Sequence, residues 1–348
     1  MEPEIILEEW SPLCNIQAFV EKSDRAYYFY LWINPGRDDA EIRSCWICNR
    51  MEAPEKVDPS ELADGMAPRM PAEFVNHNKK GIDLDEKELS IVWFEEGDAA
   101  VLMSGDKLIS VIHCFSGYNH FYGYSIYANG TGPYAWELKQ AYDIFWNKTL
   151  ISRESWAYFE TDYWPEVQKS HLKCLDEFWE KQLKYYAIDG GKFPPKALVV
   201  GQKGSVLYAI TAAVSIVPMP KVEMNYHDRY RDYRRMELGF ACEKSSEAIM
   251  QKMLPVISGL SRYPWEEVTF LGHGHTIPIE PIGDYKYILF LNSNEMITEA
   301  PRYEEFHGDR INLLWLKLIT EDEYRFVYDN GVEAYLDAHR DGEVYILK

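Results

Sequence analysis

The chain has 348 residues, of which 47% are hydrophobic and 15% aromatic; this is enough to fill two cores and excludes wholesale disorder. Its formal net charge of -20 argues against a face built for a nucleic-acid backbone or an anionic membrane surface. The same charge favours cationic protein partners.

No apolar run approaches the roughly 18 residues of a membrane span. Met1-Glu2-Pro3-Glu4 lacks a basic leader region. Cys14, Cys45, Cys48, Cys114, Cys174 and Cys242 are scattered, which suits reduced thiols better than a disulfide framework. The expectation is a cytoplasmic protein.

Residues 1–50 read as strands, with the β-prone run from Ala26 to Ile33 stopped by the turn Asn34-Pro35-Gly36. Between 51 and 88, Pro54, Pro59, Pro68 and Pro71 punctuate a charged segment without apolar period. That segment reads as irregular chain with one short helix near Pro59. Leu89–Phe94, Ala99–Leu102 and Leu108–Ile112 are joined by turn sequences and spell an antiparallel meander. Phe115 to Trp136 reads as a loop or irregular edge. From Trp136, the spacing of Leu138, Ala141, Ile144 and Phe145 predicts a helix. The pattern breaks before Tyr163-Trp164-Pro165, which divides the chain into an N-terminal α+β domain over 1–155 and a second domain over 156–348.

Pro165 suits the first turn of a helix carrying Val167, His171, Leu175, Phe178, Trp179 and Leu183 on one face and ending near Gly190-Gly191. Ala197–Val200 and Ser205–Val217 then read as paired strands. Arg235–Cys242 alternates with period two, which predicts one buried face. Ser245 or Ser246 is placed to cap a helix with Ile249, Met250, Met253, Leu254 and Ile257, which Pro255 should kink or shorten. Tyr287–Leu291 and Ile311–Ile319 read as central strands. Thr320-x-x-Glu323 is a capping box for a last helix with the stripe Tyr324, Val327, Tyr328, Val332, Tyr335 and Leu336.

Few residues invite chemistry. Cys45-Trp46-Ile47-Cys48 has the spacing of a redox dithiol or half a zinc site, but no second ligand pair of comparable spacing exists and the motif lies in a β-prone run. His273 and His275 sit in a glycine-rich turn; a third metal ligand would have to come from Glu280, His307, Asp309 or elsewhere. The favoured reading is a structural turn, with a metal-dependent hydrolase as the alternative. His113-Cys114, with Ser116 nearby, imitates a nucleophile and its base, yet adjacent residues on a regular strand point to opposite faces. No G-x-S-x-G, P-loop, dinucleotide fingerprint or H-E-x-x-H is present, so no catalytic residue, metal or cofactor is assigned.

One stretch, Tyr226 to Arg235, concentrates basic and aromatic residues in an otherwise acidic chain. Tyr226, Arg229, Tyr230, Tyr233 and Arg234, together with His273 and His275, are therefore the candidate partner-binding residues. The competing reading of the stretch is a solvated hairpin loop whose Arg and Asp residues neutralise one another.

From about residue 165 the order of segments resembles the Suppressor of fused-like domain. The matching pieces include Val200-Gly201, Tyr208 to Ser215, Pro218-Met219-Pro220, Glu237-Leu238-Gly239-Phe240, Leu260 to Pro264, Gly274 to Pro278, and Leu318 to Tyr324 followed by Gly331-Val332-Glu333. Val92 to Ala100, Tyr122 to Ser125 and Ala135 to Leu138 resemble the upstream region of bacterial members. The resemblance implies an α+β fold with mixed and antiparallel sheets, flanking helices and two lobes, and no catalytic role. In animals the family binds a transcription-factor peptide, in part by adding it as a strand between two lobes. For bacterial relatives it implies an immunity role in polymorphic toxin systems. The expected function is thus non-enzymatic binding of a protein partner, a basic toxin domain, with an intracellular regulatory scaffold as a further alternative.

Overall fold

The computed structural model describes residues 3–63, 67–296, 299–339 and 344–348, and the elements below are those of the described residues. Met1 and Glu2, part of the leader reading, lie outside them. The fold is α+β, in two compact units: Met1–Thr161 with Trp265–Val268, and Asp162–Pro264 with Thr269–Lys348.

In the first unit, β1 (Glu4–Trp10), β2 (Ile16–Lys22), β3 (Ala26–Ile33) and β4 (Glu41–Asn49) form an antiparallel sheet in chain order. Next come the short helix α1 (Pro59–Ala63) and a second sheet of β5 (Leu89–Trp93), β6 (Ala100–Ser104), β7 (Lys107–Ile112), β8 (Tyr124–Ser125) and β9 (Trp136–Glu137). The first three strands of this sheet are the expected meander. The two sheets are tied by Ser125, whose hydroxyl donates to the Ile47 carbonyl at 2.7 Å, and by Ser110 Oγ against Cys45 Sγ at 3.5 Å.

The described part of the proline-punctuated segment is mostly irregular and is tied to the first sheet at Pro68 and Met70. The Asn49 carboxamide accepts from Trp46 Nε1 and from the Met70 amide, and donates to the Met70 carbonyl, each at 2.8 Å. Tyr28 adds a bond to the Pro68 carbonyl at 2.7 Å.

Helix α2 (Tyr142–Phe159) starts later than its apolar spacing suggests. Leu138 and Ala141 precede it, and Ile144 is 61% exposed. Its buried side is instead Phe145, Thr149, Ser152 and Ser155. Small hydroxyl residues lie close against the sheet because Thr149 returns its hydroxyl to the Phe145 carbonyl at 2.7 Å.

The second unit opens with α3 (Trp164–Phe178), Pro165 in its first turn. This helix ends well before Gly190. Trp179 becomes extended and lays its ring over Gly201, where a Cβ would lie only 2.2 Å from the indole. Leu183 consequently falls on an exposed edge strand, β10 (Lys181–Ala187). The large sheet runs β10, β11 (Ala197–Lys203), β12 (Val206–Ala212), β13 (Arg235–Glu243), β16 (Ile311–Thr320), β15 (Tyr285–Asn292), β14 (Thr276–Ile282), with β17 (Ile346–Leu347) also pairing to β13.

Between β12 and β13 lies α4 (Val222–Tyr226); α5 (Glu247–Leu260) and α6 (Tyr263–Glu266) follow β13, and α7 (Ser293–Met296) follows β15. β12 stops at Ala212, short of Val217, because Ala213 turns to a φ of +71°. β13 pairs antiparallel with β12 and parallel with β16, and is buried on both faces, not one. A sheet-interior position covered by helices leaves no solvent side for period-two alternation to mark.

Helix α5 runs through Pro255 to Leu260 without being shortened, its buried face of Met250, Met253, Ile257 and Leu260 spanning the proline. Ser246 holds its N-cap position without a side-chain cap; its hydroxyl donates to the Lys348 carbonyl at 3.1 Å. The capping box at Thr320 and Glu323 forms as expected, but Gly331, at a φ of +84°, splits the last helix into α8 (Glu321–Asn330) and α9 (Val332–Ala338). Tyr328 leaves the predicted stripe and is 78% exposed.

A candidate partner-binding face

The chain leaves β12 through Pro218-Met219-Pro220 and re-enters the sheet at β13, and the stretch between carries most of the candidate residues. It is not a hairpin loop. Helix α4 passes into a 3₁₀ turn, His227–Asp232, and its arginines reach far along the chain for their carboxylate. Arg231 Nε lies 2.6 Å from Asp309 Oδ1, while Arg234 Nε and Arg235 Nε each lie 2.7 Å from Asp309 Oδ2. Arg229 makes the local pair, with Asp232 at 3.2 Å. Burial alone would raise the Asp309 carboxyl; Arg234 and Arg235 more than reverse this and hold it below its usual range. Arg234 is therefore an interior ion-pair residue rather than a surface contact. It is 4% exposed, with the Tyr230 ring 5.2 Å from its guanidinium carbon.

Two of the three tyrosines meet, each half-buried. Tyr226 and Tyr233 stack with centroids 4.0 Å apart and planes at 17°. Phe270 meets the edge of Tyr226 at 6.0 Å and reaches His275 at 5.0 Å. The basic-aromatic stretch and the glycine-histidine turn, far apart in sequence, are thus joined through a residue not singled out in the sequence. Its signal was available in the short apolar run Thr269-Phe270-Leu271 leading into the turn. Exposed Arg229 lies over the outer tyrosine, its guanidinium carbon 5.3 Å from the Tyr233 ring and its Nη2 donating to the Tyr233 hydroxyl at 2.9 Å.

The turn itself is stitched to β15. Gly274, at a φ of +82°, donates to the Phe290 carbonyl at 2.8 Å, and the Phe290 amide returns a bond to His275 at 2.9 Å. His273 Nδ1 accepts from the Asn292 amide at 3.1 Å. Burial pushes His275 below its ordinary value, against a backbone hydrogen bond at Phe270, and keeps it neutral near pH 7. Both imidazoles thus serve the turn's architecture. Asp309, a possible third metal ligand, is enclosed by three arginines. Among the described residues, no group of three close ligand atoms includes His273 or His275, and the hydrolase alternative gains nothing from the geometry.

The remaining motifs resolve locally. Cys45 and Cys48 are buried on β4, and burial pushes the Cys45 thiol up to about 12 and Cys48 in the same direction, the opposite of a redox thiol. His113 and Cys114 do approach each other, Sγ to Nδ1 at 3.5 Å, because β7 has already ended at Ile112 and the opposite-face rule no longer holds. Both are buried.

A further cluster escaped the sequence reading. Glu237 is fully buried on β13. It accepts from Thr211 Oγ1 and Ser215 Oγ, each at 2.6 Å, and lies 3.3 Å from His171 Nε2. The serine, histidine and glutamate imitate a catalytic triad in composition alone. The Ser215 hydroxyl is spent on the carboxylate, and all three residues are buried.

Residues 194–348 match the family model described as Suppressor of fused protein (SUFU). The matched segment opens just ahead of β11 and contains β11 to β17, the stacked tyrosines and the glycine-histidine turn. The resemblance read from about residue 165 onward is thus shown for 194–348. The family is one of protein-interaction and regulatory proteins. Among solved structures, a Suppressor of fused homologue from Neisseria gonorrhoeae is similar at 13% identity, covering 52% of this chain and 93% of its own, with a TM-score of 0.35. No curated protein gives a significant match. Among the described residues, no helix is long and apolar enough to cross a membrane.

Proposed function

We propose that this chain is a non-catalytic, cytoplasmic binding protein that captures a basic protein partner, a toxin domain, in the manner of an immunity protein. The observation that carries the reading is the Suppressor of fused match over 194–348. The aromatic face of Tyr226 and Tyr233 supports it, because rigid aromatic side chains anchor protein interfaces at low entropic cost. The net charge of -20 supports the choice of a basic partner, since an acidic surface accelerates encounter with a cationic one. In this proposal the two compact units act as two domains.

Ionic strength tests the electrostatic part. Capture of the partner by the immobilised protein should weaken and slow as salt rises from low to high concentration. Capture of equal strength and speed across that range contradicts it.

A further inference from the structure

Between α3 and the segment leading from α7 to β16 lies an open cavity of about 640 Å³, the size of a small-ligand site. Phe178, Ile311 and Leu313 give it an apolar wall, and Arg302, Tyr303 and Arg310 supply polar side chains. In a chain with 56 acidic and 36 basic residues, an arginine normally finds a carboxylate close by. The exposed side chains of Arg302 and Arg310 have neither ion pair nor hydrogen bond among the described residues. The cavity's own carboxylates are engaged elsewhere, Glu299 with Lys203 and Glu177 with Lys173.

We infer that this cavity binds a carboxylate-bearing ligand with an apolar body. Arg302 and Arg310 take the carboxylate, and the apolar wall takes the body. Such a group comes either from the end of a peptide chain or from a free organic acid.

Titration calorimetry on the full chain tests this with three probes: N-acetyl-L-phenylalanine, its C-terminal amide, and 3-phenylpropanoate. Both acids should bind, and the amide at least tenfold more weakly. The double substitution Arg302→Ala/Arg310→Ala should cost the acids at least tenfold. Because both side chains are exposed, the variant's melting curve should match the parent's. Tighter binding of the N-acetyl amino acid identifies a chain terminus, and equal binding a free acid; either supports the shared chemistry. Absence of binding by both acids, an amide as tight as its acid, or undiminished affinity in the double variant overturns the inference.

Discussion

His171 Nε2 on α3 lies 3.3 Å from Glu237 Oε1 on β13, a buried pair that fastens the first helix of the second unit to the middle of its sheet. Burial alone would lower His171 and raise Glu237; their mutual hydrogen bond and charge reverse both, so His171 is raised and Glu237 lowered. The histidine's contribution is complete below its unfolded value near 6.5 and fades as pH rises through the higher folded value. The carboxylate's contribution is complete above its unfolded value near 4.5 and fades as pH falls through the lower folded value. The pair therefore stabilises most between those limits. Thermal melting should show the second unit losing stability from pH 6 to pH 9, with that loss flattened in Glu237→Gln, which should itself cost about 1–3 kcal/mol at pH 6. Parallel pH curves for the two proteins would remove the pair from the account.

Asn49 holds the proline-punctuated segment at Met70 by two buried hydrogen bonds and accepts a third from Trp46 on its own strand. Asn49→Ala leaves the Met70 amide and the Trp46 indole without their acceptor, a loss of about 2–3 kcal/mol. Limited proteolysis should then cut faster within 51–88 while the second unit stays intact. An unchanged cleavage pattern contradicts the anchoring role.

Gly201 and Gly204 make a paired test of close approach against open space. A methyl at 201 would meet the Trp179 ring at 2.2 Å, whereas one at 204 meets nothing within 4 Å but inherits a φ of +57°. Gly201→Ala should cost about 1–3 kcal/mol through displaced packing, and Gly204→Ala about 1 kcal/mol through backbone strain alone. Urea unfolding of the two variants distinguishes these costs; equal midpoints would mean that Trp179 yields freely.

The aromatic face separates binding from folding. Replacing Tyr226 and Tyr233 together by Ala should lower partner affinity at least tenfold, roughly 1.4 kcal/mol or more, with a modest change in melting temperature. Arg234→Ala should do the reverse, lowering stability through its buried bond to Asp309 while the purified folded fraction binds as before. A loss of affinity confined to Arg234→Ala would move the binding surface elsewhere.

The sequence was readable where a local rule had a single solution. The meander from Leu89 to Ile112, the capping box at Thr320 and Pro165 in the first turn of α3 each follow from chemistry within a few residues. It misled where long-range packing decided. The apolar spacing of α3 continues through Leu183, but the helix ends at Phe178, where Trp179 turns extended and lays its ring on Gly201 and the chain from Lys181 pairs with β11. Alternation in β13 suggested a wet face, but Arg235 and Glu237 are both fully buried because Asp309 and His171 reach them from distant segments. At the candidate face, composition pointed to Tyr226 and Tyr233, whereas Phe270, which joins them to His275, carried only a short apolar run as its sign.

The most direct test of the central claim is affinity purification of the tagged protein from its native host, with mass spectrometry of whatever accompanies it. The account predicts a basic protein with a toxin-like terminal domain, recovered in near-equal amount and released by high salt. Recovery of no stoichiometric protein across several growth conditions would contradict it.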